Sequence, residues 1–208
     1  MTGVDEYAAY NHDRSVIAPA FAAFCERVPE AARVLDLDCG PGWETQALHT
    51  RGSEAIGRDL SAAFCSYARR EYPADDHIGG DMNFLPFAAN SFSGVWACVS
   101  MLHIAREDMP AVLSEVARIL IPRRRSRRTP FRSATPSVSS PRKSAPGHQL
   151  FYAYRTPEEW RVAIESAGFA IDDLVTEVSE EEQTHLNGAP EAGPLPSRTA
   201  ATPRNHGP

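Results

Sequence analysis

The apolar positions of this chain alternate between two spacings. Short apolar runs that suit strands buried in a parallel sheet fall at 34–37, 53–59, 77–80 and 92–101. Between them the apolar residues lie three and four apart. Val16, Ile17, Ala20, Phe21, Phe24 and Val28 form one such stripe over 14–28, and Val112, Leu113, Val116 and Leu120 another over 109–121. That spacing predicts helices packed on one side. A first crossover helix is predicted over 45–50, and Ser61 is placed to cap a helix over 62–71. Thr156-Pro157-Glu158-Glu159 opens another helix with a capping box and a proline at its first position, and Gly168 closes it. Residues 169–178 resemble a further strand. Strands alternating with helices at this pitch predict an α/β fold, a three-layer α/β/α sandwich around a mainly parallel sheet.

Two stretches break the pattern. Residues 122–148 hold five prolines, six serines and eight cations with hardly any apolar side chains, and 183–208 are rich in Pro, Gly, Ala and Thr without periodicity. Neither buries enough apolar area to offset its ordering entropy, so both are expected to be disordered or loosely draped. The expected organisation is one domain over 1–182, interrupted by an irregular insert at 122–148 and followed by a tail over 183–208.

Composition narrows the class. With 208 residues, 42% of them hydrophobic and 23% charged, the chain suits a soluble globular domain with a sizeable core. No apolar run reaches the roughly 20 residues of a membrane span. The acidic N-terminus lacks the basic start and apolar centre of a signal peptide, so cytoplasm is the expected location. Cys25, Cys39, Cys65 and Cys98 lie far apart, which indicates neither a zinc site nor a disulfide scaffold. The net charge of −6 is uneven: outside 122–148 the chain carries 13 basic against 27 acidic residues, a body that repels nucleic acid.

The candidate chemistry sits where the predicted strands end. Val34-Leu35-Asp36-Leu37-Asp38-Cys39 runs into Gly40-Pro41-Gly42 and then a helix. Glycines there remove the Cβ atoms that would collide with a bound nucleoside. Asp59 follows Gly42 by 17 residues, where a carboxylate can accept hydrogen bonds from both ribose hydroxyls. Asp81 stands after the third strand, placed to accept from an exocyclic amine. Ser100 and His103 lie at the end of the fourth, where a histidine is a candidate general base. A nicotinamide-binding fingerprint needs a third glycine where this chain has Thr45, and has no use for an acid inside the first strand such as Asp36.

Taken in order, Leu35-Asp36-Leu37-Asp38-Cys39-Gly40-Pro41-Gly42, Gly57-Arg58-Asp59-Leu60-Ser61, Gly80-Asp81-Met82 with Leu85-Pro86-Phe87, and Ser91-Phe92-Ser93-Gly94-Val95-Trp96 resemble the class I S-adenosylmethionine-dependent methyltransferases of small-molecule type. The likeness covers about residues 5–121 and resumes over 151–178. It implies a Rossmann-like fold with S-adenosylmethionine as cofactor. On this resemblance Asp36 and the turn of Asp38, Cys39, Gly40 and Gly42 hold the methionine part, Asp59 the ribose, and Asp81 with the Met82 amide the adenine. Thr45, Leu60 and Ser100 complete the expected cofactor set. No metal is implied. The expected acceptor is a small metabolite, since the strand-four motifs for nucleobase amines or cytosine C5 are missing.

The chain departs from the family at three places. Asp38 stands where the family has glycine, and its carboxyl is expected to crowd the methionine moiety and weaken cofactor binding. After Ile121, where the family shows Arg-Pro-Gly-Gly and an apolar fifth strand, this chain reads Pro122 and then Arg-Arg-Arg-Ser-Arg-Arg. After His185-Leu186-Asn187, which resembles the start of the last strand, Gly188-Ala189-Pro190 follows. Strands five and seven are therefore expected to be missing or degraded, leaving strand four a bare edge and orphaning 169–178. Twenty arginines against one lysine suggest GC-rich coding, and 122–148 and 188–208 are expected to be translated out of the ancestral frame.

Three functions compete. The first is an active small-molecule methyltransferase. The second is a non-catalytic relative that binds cofactor weakly. The third is a binder of RNA or an acidic partner through 122–148, against which stands the scarcity of aromatic residues to stack on bases.

Overall fold

β1 (Arg33–Leu37) lies between two parallel neighbours, β2 (Glu54–Asp59) and β4 (Gly94–Cys98). β3 (Asp76–Gly79) pairs with β2, and β5 (Phe131–Ala134) with β4. The sheet among the described residues therefore has the order β3-β2-β1-β4-β5, parallel throughout. The computed structural model describes residues 3–122, 131–134, 153 and 155–171. The chain winds outward from β1 through β2 to β3, then returns to the other side of β1 for β4. The reversal between β1 and β4 is the switch point at which α/β sheets bind ligands.

Strand side chains alternate between the two faces, and the two cores divide accordingly. Val34, Ala55 and Trp96 pack with Leu48 of α3 (Trp43–Thr50) and with Phe24, Cys25 and Val28 in and after α2 (Ala18–Arg27). Leu35, Leu37, Ile56, Val95 and Ala97 meet Val112, Leu113, Val116 and Ile119 of α5 (Met109–Ile119). Each of these α5 side chains is fully buried, worth about 1.5–3 kcal/mol apiece by area. α6 (Pro157–Ser166) supplies Trp160 and Ala163 at the margin of this second core.

Most of the elements agree with the expected ones to within a few residues. Ser61 caps α4 (Ala62–Glu71) by accepting from the Phe64 amide at 3.3 Å. Thr156 and Glu159 form the reciprocal capping box of α6. The apolar run over 92–101 is broken into an isolated bridge from Phe92 to Leu120, then β4, then a 3₁₀ turn at Met101–His103. A helix at the amino end, α1 (Gly3–Tyr10), has too little apolar periodicity to be anticipated.

The expectation of a bare strand four is corrected. Phe131–Ala134 pairs with β4 in register, Val95 opposite Phe131 and Cys98 opposite Ala134. A ladder is made by backbone groups that every residue except proline supplies. A stretch lying between Pro130 and Pro136 can therefore add to the edge whatever its side chains. Among the described residues a fifth strand is present over these four positions, so of the two expected outcomes for strand five, missing or degraded, it is not missing. Phe169 to Ile171 are irregular. The rest of the expected strand over 169–178, the remainder of the 122–148 insert past Pro122, the last-strand likeness at 185–187 and the tail over 183–208 lie outside the described residues. Among the described residues no helix is long and apolar enough to cross a membrane.

Candidate functional site

β1 delivers the chain into a turn tied to the end of β2. The amides of Asp38 and Cys39 both donate to the carbonyl of Arg58, at 2.7 and 3.1 Å. Asp38 takes the left-handed conformation (φ +66°), as do Gly40 (φ +53°) and Gly42 (φ +90°), the residue that starts α3. The two glycines serve different ends. A Cβ on Gly42 would lie 2.7 Å from Cε1 of buried His77, so packing beneath the turn demands glycine. A Cβ on Gly40 would meet nothing within 4 Å, so the space over that residue is open. The Cys39 thiol points below the turn, 4.0 Å from Nδ1 of His77.

Asp59 is the centre of the site. Its Oδ2 accepts from the Gly40 amide at 2.8 Å and its Oδ1 from the Ser61 amide at 2.7 Å. Burial together with the neighbouring Asp59 charge pushes the Asp38 carboxyl up to about 7. The next residue, Leu60, turns outward and is 70% exposed. Asp36, at the same face of β1, is buried and accepts from the Thr45 hydroxyl at 2.6 Å. Burial and the neighbouring Glu44 carboxylate push it up to about 8, with the Thr45 hydrogen bond and Arg14 opposing. Arg14 reaches in from the segment before α2 to donate to Glu44 at 2.8 Å, its guanidinium 5.0 Å from the centre of the Trp43 ring.

The loop after β3 is held from beneath. Arg58 extends from β2 and donates through Nη2 to the carbonyls of Asp81 and Phe84, at 3.1 and 2.9 Å. Asp81 is exposed, its Oδ1 bonded to the amide and side chain of Asn83. Met82 is buried and Phe84 is 72% exposed. Sequence reasoning quoted Arg58 only as part of a motif. The signal it carried was an arginine inside an otherwise buried strand, which needs carbonyl acceptors nearby.

Beyond β4, Val99 adopts φ +57°, a strained conformation for a β-branched residue. Ser100 is fully buried, and its Oγ has no hydrogen-bond partner among the described residues. His103 closes the 3₁₀ turn, half-buried.

The structure thus gathers Asp36, Asp38, Cys39, Gly40, Gly42, Thr45, Asp59 and Leu60 around the ends of β1 and β2. Asp81 and Met82 stand on the adjoining loop, and Ser100 and His103 at the end of β4. A separate open groove of about 630 Å³ between α5 and α6 contains none of them. The open space over Gly40, the exposed apolar side chains of Leu60 and Phe84 beside two carboxylates, and the orphaned Ser100 hydroxyl fit a nucleoside with a charged tail. The Asp38 carboxyl is the one group added to that outline.

Residues 34–123 match the family model of a methyltransferase domain. The matched segment is less than half of the 208-residue chain, and within it the chain is similar to methyltransferases. Among similar proteins are a malonyl-[acyl-carrier protein] O-methyltransferase from Erwinia pyrifoliae, 34% identical over 46% of this chain and 36% of that protein, and a 2-phytyl-1,4-naphtoquinone methyltransferase from Thermosynechococcus vestitus, 33% identical over 46% of this chain and 44% of that one. The chain therefore spans less than half the length of these two relatives. An S-adenosylmethionine-dependent methyltransferase from Mesorhizobium loti shares the fold, with a TM-score of 0.60 at 20% identity over 76% of this chain and 82% of that chain. The matched segment includes the glycine turn, Asp59, the Arg58-held loop and the end of β4.

Proposed function

We propose that this chain binds S-adenosylmethionine across the ends of β1, β2 and β3 and transfers its methyl group to a small-molecule acceptor. The observation that carries the reading is the fixing of Asp59: two backbone amides, from Gly40 and Ser61, orient its carboxylate at the mouth of the glycine turn, beside open space and an exposed Leu60. Held this way, the carboxylate is oriented to accept from the ribose hydroxyls, while Leu60 offers an apolar surface to the nucleoside. Asp36 with Thr45 and the backbone of Asp38, Cys39, Gly40 and Gly42 line the methionine side. Asp81 and the Met82 amide take the adenine edge. When bound, the cofactor supplies a methyl group on a positive sulfur, ready for in-line displacement by an acceptor lone pair.

The chain's own contribution is alignment and exclusion of water. Ser100, buried and with no hydrogen-bond partner for its hydroxyl among the described residues, can fix one polar atom of cofactor or acceptor. His103, in the 3₁₀ turn after β4, is the candidate base for a proton on an acceptor hydroxyl, amine or thiol. The two relatives act, by their names, on malonyl-[acyl-carrier protein] and on a phytylated naphthoquinone, which supports a small acyl or quinone acceptor group, free or carried, over a nucleic acid. Incubation with methyl-labelled S-adenosylmethionine and a panel of carboxylic thioesters, quinols and amines tests the reading. Label appearing in one small acceptor supports it, and label in none of them counts against it.

A second reading is favoured by one feature. The Asp38 carboxyl fills space that a glycine would leave free, so binding without turnover would follow if it misplaces the reacting carbon.

A further inference from the structure

We propose that His77 is a positioning residue of the nucleoside site: its imidazole, wedged between Gly57 of β2 and Gly42 at the start of α3, sets the height of the turn over which the ligand lies. The inference rests on the S-adenosylmethionine reading of the site and gives a role to a buried side chain which that reading leaves unused.

β2 and β3 pair with Gly57 opposite His77. A Cβ on Gly57 would fall 2.6 Å from Nδ1 of the ring, 2.7 Å from Oγ1 of Thr45 and 2.9 Å from Sγ of Cys39. Side chains from β3, α3 and the turn thus converge on the room that one missing methyl leaves. The far edge of the ring lies under the turn. A Cβ on Gly42 would fall 2.7 Å from Cε1 and 3.2 Å from Nε2. The imidazole therefore spans the gap between strand and turn, and it is buried there.

What the ring contributes is reach. Nε2 has no hydrogen-bond partner among the described residues, and Nδ1 lies 4.0 Å from the Cys39 thiol. A buried polar atom without a partner costs stability, so hydrogen bonding does not account for the ring. The strand holds it in place from behind: the His77 carbonyl accepts from Nε of Arg69 on α4 at 2.8 Å.

The turn needs such a support. Its near end is anchored, with the amides of Asp38 and Cys39 on the Arg58 carbonyl and Asp38 held at φ +66°. Left-handed backbone in a residue with a Cβ persists only where the surroundings impose it. The far end, Gly42, opens α3 with no side-chain cap and rests on the ring. Gly40 lies between the two supports, and its amide is one of the pair that orients Asp59, at 2.8 Å. If the ring edge were removed, Gly42 would settle into the space and carry the Gly40 amide with it. A binding constellation tolerates about 0.5 Å of such movement. His77 acts on the ligand through Gly42 and Gly40.

Calorimetric titration with S-adenosylhomocysteine, on chains whose folding is followed by urea unfolding, tests this. His77→Gln carries its amide about as far out as Nε2 of the ring, whereas His77→Asn stops near Nδ1 and leaves the Gly42 side empty. Both are neutral and bury the same amide, so they differ in reach. The glutamine variant is expected to bind within about threefold of the unaltered chain, and the asparagine variant about tenfold or more weaker. His77→Phe and His77→Leu make the same comparison with apolar side chains and serve if the amide variants do not fold. Equal binding by the long and the short variant, or a short variant that loses stability and keeps its affinity, overturns the inference and leaves the cofactor reading standing. No binding by the unaltered chain overturns both.

Discussion

Gly80 lies directly against the guanidinium of Arg58: a Cβ added to this glycine would fall inside the Arg58 head group. The backbone there has φ +155°, and the arginine beneath it bonds the carbonyls of Asp81 and Phe84. The glycine and the arginine together set the path of the loop that carries Asp81 and Met82.

Gly80→Ala should therefore displace the loop or the arginine. The expected cost is about 1–3 kcal/mol of stability, measured by urea unfolding, with weaker nucleoside binding. Because the clash is with one side chain, Arg58→Ala should remove part of that cost in a double-mutant cycle. Strict additivity would contradict a direct clash.

Stability should fall as pH rises from 6.5 to 8.5. Asp36 and Asp38 titrate at about 8 and about 7 in the folded chain, against about 3.9 when unfolded. Between those values the folded state binds more protons than the unfolded, so raising pH favours unfolding. His77 acts oppositely and elsewhere: burial lowers its proton affinity, so it removes stability only as pH falls below its unfolded value near 6.5. Thermal melts across pH 6.5–8.5 should show a falling midpoint, and Asp36→Asn should flatten the slope. A midpoint that holds or rises over this range would contradict the protonated state of both acids.

The four thiols should resist alkylation in the native state. All are free; Cys25, Cys39 and Cys65 are buried and Cys98 is half-buried. Burial pushes Cys98 up to about 12 and Cys39 well above the ordinary thiol value. Since the thiolate is the reactive form, iodoacetamide at pH 7.5 should label the native chain slowly and all four sites rapidly in denaturant.

Thr156→Ala should cost about 1 kcal/mol in urea unfolding, the usual worth of an N-cap. The Thr156 hydroxyl accepts from the Glu159 amide at 3.2 Å, and the Glu159 carboxylate accepts from the Thr156 amide at 2.6 Å. An unchanged stability would mean that α6 contributes little to the cooperative fold.

What could be read in the sequence was whatever local pattern determines. The buried runs of β1, β2 and β4, the α5 stripe and the caps at Ser61 and Thr156 each follow from spacing over a few residues. So does the convergence of the glycine turn with Asp59, because strand ends in a parallel sheet meet at one edge. β5 was not legible, since its side chains carry no strand pattern and its pairing is a backbone matter. The raising of Asp38 by burial and by the Asp59 charge was not legible either. Asp38 stood out as an acid in place of a glycine, but only the tie of its amide to the Arg58 carbonyl brings its backbone beside the end of β2. Arg58 itself read as a motif letter, because its role depends on carbonyls more than twenty residues away.

The most direct measurement is calorimetric titration of S-adenosylmethionine into the unaltered chain and into Asp59→Ala at neutral pH. One nucleoside per chain is predicted, with binding weakened about tenfold or more in the variant, the worth of a charge-assisted hydrogen bond. No binding by the unaltered chain, or equal binding by the variant, would contradict a site built around Asp59.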